Sequence, residues 1–119
     1  MTARRGDRGA GAVLVLAVAA VLVLVASTGA ALAAVAVARQ RAAAVADLAS
    51  LAAAQHALQG QAVACGWAAR TAAADGGRLR SCVLRGDVAE VVAEVRPSGP
   101  LGRLGSAVSR ARAGPAAPG

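Results

Sequence analysis

The pattern of apolar positions is dominated by one long run near the start of the chain. Residues 10–38 contain no charged side chain. As an α-helix they would span about 43 Å, more than the roughly 30 Å of a bilayer core. They also exceed the ~7–15 residues of an ordinary signal-peptide apolar region. The run predicts a transmembrane helix, within which the Ser27 and Thr28 hydroxyls can bond back to the backbone.

The residues that follow the run keep a helical pattern. Residues 39–59 are rich in alanine, which has the highest helix propensity. Ala44, Leu48, Leu51 and Leu58 recur at helical spacing and share one face. We therefore expect the helix to continue outside the membrane as an amphipathic extension that Gly60 ends or kinks.

After Gly60 the sequence predicts a short helix and then two strands, because the spacing of the apolar residues changes from helical to alternating. Residues 61–75 form the helix, which the Gly76–Gly77 pair stops. The strands flank Gly86 and Asp87, and a two-residue loop sets their register. It pairs Cys82 with Val91, Val83 with Glu90, Leu84 with Ala89 and Leu79 with Glu94. A longer loop would shift this register, and a lone hairpin is marginal in water, so it should pack on a helix.

These elements predict an α+β fold built on a single long N-terminal transmembrane helix. The head, residues 1–9, is basic, and the helix of residues 10–38 continues outward through residues 39–59. Residues 61–97 are expected to form a small domain in which a short helix packs on a β-hairpin. Residues 98–119 are rich in Gly, Pro and Arg, have few large apolar side chains, and are expected to be a flexible, disordered tail.

Composition changes this picture little. All 13 basic residues are arginine and the formal net charge is +7. A basic chain can bind nucleic acid, anionic lipid or an acidic wall polymer. Trp67 is the single aromatic residue, however, and nucleic-acid binders usually combine basic patches with stacking aromatics. We expect no nucleic-acid partner, and a charged surface that keeps an apolar protein soluble and oriented.

Cys65 and Cys82 are the only cysteines. The first lies on the predicted short helix and the second on the inward face of the first strand. A disulfide between them would fasten the helix to the hairpin and stabilise the domain by about 3 kcal/mol. It would also require an oxidising compartment, hence a location outside the cytoplasm. Two buried free thiols are the alternative.

No pattern in the sequence predicts an enzyme, a bound cofactor or a metal site. His56 is the sole histidine, and no serine or cysteine stands at the spacing of a catalytic motif from it. We therefore expect a solvated histidine on the helix surface and not a catalytic base. Glu90 and Glu94 share a strand face, where Arg78 and Arg80 can balance them. One histidine and two separated cysteines do not make a zinc site, and no phosphate-binding glycine motif is present.

The order of these parts resembles the small TadE-like proteins of actinobacteria, which belong to the TadE/G-like group of Flp (Tad) pilus assembly and tight-adherence secretion. The resemblance is carried over nearly the whole chain by "RRGDRGAGAVLVL", "ARQRAAAVADLASLAAAQHAL", "GGRLRSCVLRGDVAEVVAEV" and "SRARAGP". Its most specific part is "RAAAVADLASLAAA", since TadE- and TadG-type proteins carry an Ala/Asp-rich stretch just after the anchor.

The resemblance implies a minor pilin-like subunit, a pseudopilin, anchored in the plasma membrane as a single-pass protein. Its N-terminus would be cytoplasmic and its C-terminal domain extracytoplasmic, with partners among the bilayer and other pilin-like or Tad secretion subunits. A prepilin peptidase would cut after Gly9, or next best Gly11. Pilin leaders usually place Glu five residues after the cut, whereas this chain has Leu14 there. That departure leaves an uncleaved anchor as an alternative.

Two other functions fit the same residues. The tripeptide ending at Ala33 has an A-x-A-like pattern that a signal peptidase could cut, which would release a small basic disulfide protein. A generic bitopic membrane adaptor is the third possibility.

The orientation of the helix in the membrane depends on Arg4, Arg5 and Arg8 before the apolar run and on Arg39 and Arg41 after it. By the positive-inside rule, three arginines before the run against two after it slightly favour a cytoplasmic N-terminus.

Overall fold

The first element, helix α1, spans Thr2–Gln55. The computed structural model describes residues 2–116, and side chains from residue 8 onward. Alanine, valine and leucine dominate the helix, which contains no proline, and Gly9, Gly11 and Gly29 leave it unbroken. By contacts, the chain divides after Ala33 into two compact units. We call the described part of the second unit, residues 34–116, the cap.

The end of α1 is marked by a histidine side chain. The Nδ1–H of His56 donates to the carbonyl oxygen of Ala52 at 2.8 Å, which satisfies one of the last carbonyls of the helix. A 3₁₀ turn, Ala57–Gln59, follows and stops at Gly60, where φ is +98°. Helix α2 then spans Gln61–Ala74. The predicted short helix is confirmed. The predicted helical extension through residue 59 is too long, since α1 ends at Gln55 and a 3₁₀ turn covers the residues before Gly60.

The strands form one antiparallel sheet. β1 spans Arg78–Arg85, β2 spans Val88–Val95, and Gly86 opens the two-residue turn with φ of +62°. A glycine with positive φ in the first turn position is typical of a type II′ hairpin, whose twist matches that of the strands. Cys82 pairs with Val91 and Leu84 with Ala89, as the two-residue loop predicts.

The predicted pairing of Leu79 with Glu94 is wrong. Leu79 pairs with Ala93, and Arg78 pairs with Glu94, because the register shifts between Leu79 and Ser81. The extra residue of this β-bulge is Arg80. Without it Leu79 would share the outer face with Glu94, whereas the bulge packs Leu79 against the core.

The sheet has a third strand where the sequence predicted a flexible tail. After a 3₁₀ turn at Pro100–Arg103, β3 spans Ala107–Ala113 and pairs with β2, which gives the order β1-β2-β3. Within β3, small residues alternate with Val108, Arg110 and Arg112. The alternation places the small side chains inward and the larger ones outward. The helix and hairpin of the predicted α+β fold are confirmed, and the expectation of disorder fails over β3.

The core of the cap is built mainly from alanine. The buried positions of α1 in this core recur at helical spacing and are Ala42, Val45, Ala46, Ala49 and Ala53. They share one cluster with Ala64, Ala68 and Ala72 of α2 and with the inward residues Ala89, Val91, Ala93 and Val95 of β2. With methyl side chains at most of these positions, the backbones can approach closely, which compensates for the small area each buries.

The leucine face predicted for the helical extension is not the buried one. Leu48 is 46% exposed, Leu51 53% and Leu58 98%, and Ala44 is also exposed. The buried positions of α1, which are mostly alanine, form a stripe along the helix that we call the alanine stripe. Leu48 and Leu51 lie on the opposite side, since they fall roughly 120–180° around the helix from Ala42. Leucine is the more apolar side chain, but the alanine side allows the closer packing.

Gly77, between α2 and β1, occupies a close contact with α1. A β-carbon there would lie 2.8 Å from Cγ1 of Val45 and 3.2 Å from the carbonyl oxygen of Glu94. We expect Gly77→Ala to lower the free energy of unfolding by about 1–2 kcal/mol, since a fully buried valine must move. Urea unfolding of the full chain in detergent, followed by Trp67 fluorescence, measures the change.

Gly66 provides the matched control for that variant. It lies inside α2 with no atom near its missing β-carbon. Gly66→Ala should raise the free energy of unfolding by up to about 1 kcal/mol through helix propensity alone. Equal effects of the two substitutions would contradict the close packing of Gly77 on α1.

Candidate functional site

Three parts of the molecule are candidates for function: the apolar stretch of α1, the disulfide with the packing around it, and the surface of the cap. The apolar stretch contains the predicted anchor. Its large side chains between Val13 and Val25 are 51–70% exposed. None of its most apolar window is buried within the protein. A core helix of a soluble protein would be mostly buried, so the side chains of this segment require a different apolar environment.

Among the described residues, one helix is long and apolar enough to cross a membrane, the candidate segment being Arg8–Gln55. A signal sequence satisfies the same criterion, so the helix supports a membrane contact of either kind. The two hydroxyl side chains of its uncharged stretch bond back to the helix backbone. The Ser27 hydroxyl donates to the Val23 carbonyl at 2.7 Å, and the Thr28 hydroxyl donates to the Leu24 carbonyl at 2.9 Å. The predicted back-bonding is confirmed, and neither hydroxyl opposes burial in lipid.

The predicted processing positions lie on the exposed surface of the helix. Apart from the adjacent helix backbone, none of the described atoms lies within 4 Å of an ideal β-carbon at Gly9 or Gly11, and Arg8 is exposed. The side chains of Arg4 and Arg5, which were assigned to orientation, lie outside the described residues. Leu14, five residues after Gly9, is 65% exposed. These positions are therefore accessible to a peptidase and to lipid.

Cys65 and Cys82 form a disulfide, with their α-carbons 5.8 Å apart. It joins α2 to β1, the two elements between which Gly76 and Gly77 turn the chain. The link is reinforced by a hydrogen bond from the Leu84 amide to the Gln61 side chain at 3.3 Å. The covalent bond therefore connects the helical layer of the cap directly to its sheet.

The only histidine and the only tryptophan of the chain stack on each other. The ring centroids of His56 and Trp67 are 4.6 Å apart, with 11° between the planes. The guanidinium of Arg70 lies 5.3 Å from the centre of the Trp67 ring, within cation–π range. These contacts hold the turn after α1 against α2. His56 thus caps one helix and packs on the next, where the sequence predicted a solvated position.

An open groove of about 450 Å³ lies between the end of α1, the following 3₁₀ turn and the end of β3. Its lining is mostly apolar and includes Leu51, Leu58 and Pro115. The lining has one carboxylate, Asp87, and one side-chain amide, Gln55, but no cysteine, histidine or serine. Among the described residues, no three metal-ligating side chains cluster together.

The outer face of the sheet is charged. Glu90 lies 3.9 Å from Arg85 and 3.5 Å from Arg112, and Glu94 lies 3.7 Å from Arg80. The predicted balance of Glu94 by Arg80 is confirmed, whereas Glu90 pairs with Arg85 and Arg112 instead of the predicted Arg78 and Arg80. The role of Arg112 depends on β3, which lies in the segment predicted to be a flexible tail. The alternation of arginine with small residues is the signal that could have identified this strand.

Comparison of the chain with protein-family models, with curated proteins and with solved structures gave no match.

Proposed function

We propose that this protein is a membrane-anchored structural subunit, of the pseudopilin kind, in a Flp/Tad-type pilus or secretion apparatus, and that it is not an enzyme. The observation that carries the proposal is a helix of exposed apolar side chains followed in the same chain by a disulfide-fastened cap. Such a chain can hold its helix in lipid and expose a stable domain to partners. The proposal rests on this arrangement together with the TadE-like resemblance of the sequence.

The anchor has the features of a helix that associates laterally. Alanine and glycine are frequent between residues 10 and 38, and small residues let helix backbones approach closely in a bilayer. The exposed valines and leucines then pack against the neighbouring helix or against lipid. In this proposal the anchor contacts other apolar subunit helices. The disulfide supports a location of the cap in an oxidising compartment, outside the cytoplasm.

Site-specific photo-crosslinking in the native host tests the lateral contacts. A photoreactive residue replaces Leu16 or Leu22, which are both exposed on the anchor, and Asp87 at the hairpin tip is the control position. We expect the two anchor positions to give protein adducts with other small single-helix membrane subunits. Adducts with lipid alone at both positions would contradict the proposal.

One observation favours a second candidate, a secreted basic protein. The boundary between the two compact units falls after Ala33, where the A-x-A-like pattern predicts signal peptidase cleavage. A cut there would leave the cap and its disulfide intact. The released protein would begin at Ala34 and be found outside the cell, whereas the subunit keeps its anchor.

A further inference from the structure

The outer face of the three-stranded sheet has a surplus of positive charge that the proposed structural role does not use. The inward side of the sheet packs on the helices, so this face is free within the cap. It presents two glutamates, both on the central strand, against five arginines on the outer strands: Arg78, Arg80, Arg85, Arg110 and Arg112. Five positive and two negative groups leave a net charge of +3.

The glutamates are shielded and the arginines are not. The side chains of Glu90 and Glu94 are 16% and 21% exposed. Those of Arg80, Arg85 and Arg112 are 57%, 75% and 67% exposed. The carboxylates therefore lie at the floor of the face and orient the guanidiniums, while the surface open to a ligand is arginine. Arg110 pairs across the strands with Val92 and has no carboxylate opposite it.

The arginines lie on the two outer strands, unevenly on β1, where a bulge interrupts the register, and two residues apart on β3. Residues two apart on a strand lie about 6.8 Å apart, and the two outer strands are separated by about 9.6 Å, twice the interstrand distance. Arg110 and Arg112 have this spacing on β3. A flexible linear polyanion can contact several of these groups at once, and guanidinium binds phosphate oxygens with two parallel hydrogen bonds.

The composition of the face selects among polyanions. Its apolar members are valines, and it has no aromatic side chain on which a nucleobase could stack. It also lacks the tryptophan, tyrosine and leucine that anchor a protein surface among lipid headgroups. We propose that this face binds a linear phosphodiester polymer without bases, of the poly(glycerol phosphate) type. The inference goes beyond the proposed function and applies equally to an anchored or a released cap.

Binding of poly(glycerol phosphate) to the full chain in a zwitterionic detergent tests the inference. We expect the double variant Arg110→Gln/Arg112→Gln to bind at least about tenfold more weakly, with a log–log salt slope smaller by about 0.7 per phosphate contact removed. The control Arg39→Gln/Arg41→Gln removes the same charge from exposed positions of α1, the helix that packs against the inner side of the sheet. It should keep nearly the full affinity.

Three outcomes would overturn the inference. Equal losses in the two double variants would show attraction to net charge alone. Tighter binding to single-stranded DNA than to the polymer would indicate a nucleic-acid surface. Binding to vesicles containing phosphatidylglycerol, without binding to the polymer, would indicate a lipid surface. Unfolding curves of both double variants, followed by Trp67 fluorescence, verify that the sheet is intact. Lysine in place of glutamine at position 110 should restore part of the affinity, because it restores the positive charge there.

Discussion

Replacing Cys65 and Cys82 with serine should lower the free energy of unfolding of the cap by about 3 kcal/mol. The two residues close a loop with a sequence separation of 17, and cutting that loop restores freedom to the unfolded chain. The loss matters more here than in a larger domain, because the core consists mainly of alanine and buries little area per residue. The measurement is urea unfolding of the full chain in detergent.

Reduction of the wild-type protein provides the control for that variant. Dithiothreitol should destabilise the wild type by about the same amount and should leave the serine double variant unchanged. If the variant and the reduced protein unfolded at the same urea concentration as the oxidised wild type, the disulfide would not be what fastens the cap. Trp67, the single tryptophan, reports the transition because it lies on α2 against His56.

Replacing a buried alanine of α1 with a larger side chain should cause the second large loss in the free energy of unfolding. Ala49 is fully buried in the cluster that α1, α2 and β2 share. Ala49→Leu adds three carbon atoms where backbones approach closely, so the helix must move away from the sheet. We expect a loss of about 3 kcal/mol, at the upper end for overpacked cores. A thermal or urea melt of the full chain measures it.

Ala44→Leu is the matched substitution on the opposite side of the same helix. Ala44 is exposed next to the exposed Leu48, so a leucine there meets solvent or detergent. Its effect on the free energy of unfolding should stay within about 0.5 kcal/mol. If Ala44→Leu were the more damaging of the two, the leucine side of α1 would be its packed face, and the alanine core would be wrong.

The sequence predicted those parts of the fold that depend on local patterns. The uncharged run indicated a long helix, and Gly86–Asp87 with alternating apolar residues predicted the register that places Cys82 opposite Val91. The bulge at Arg80 was not predicted, because no glycine or proline marks it. It is explained only by the gain from turning Leu79 inward, which requires knowledge of the core.

Two of the errors, the leucine face and the missed third strand, share one physical cause, the small size of the packed side chains. Hydrophobicity favoured Leu48 and Leu51 as the inner face, whereas close approach selected Ala46 and Ala49. The same bias made β3 look like a tail, since its inward residues are alanine and serine. The disulfide of Cys65 and Cys82 was predicted from the sequence. The arginine face was not, because it depends on β3, which was predicted to be part of a tail.

The intact mass of the native protein, purified from its host without reductant, distinguishes a membrane-anchored subunit from a released protein. We expect a product in the membrane fraction that is full-length or cut after Gly9 or Gly11, and lighter by the two hydrogen atoms lost to the disulfide. Cleavage after Gly9 would also show that Leu14 is tolerated where pilin leaders usually have Glu. A product that begins at Ala34 and is found mainly outside the cell would contradict the membrane-anchored subunit.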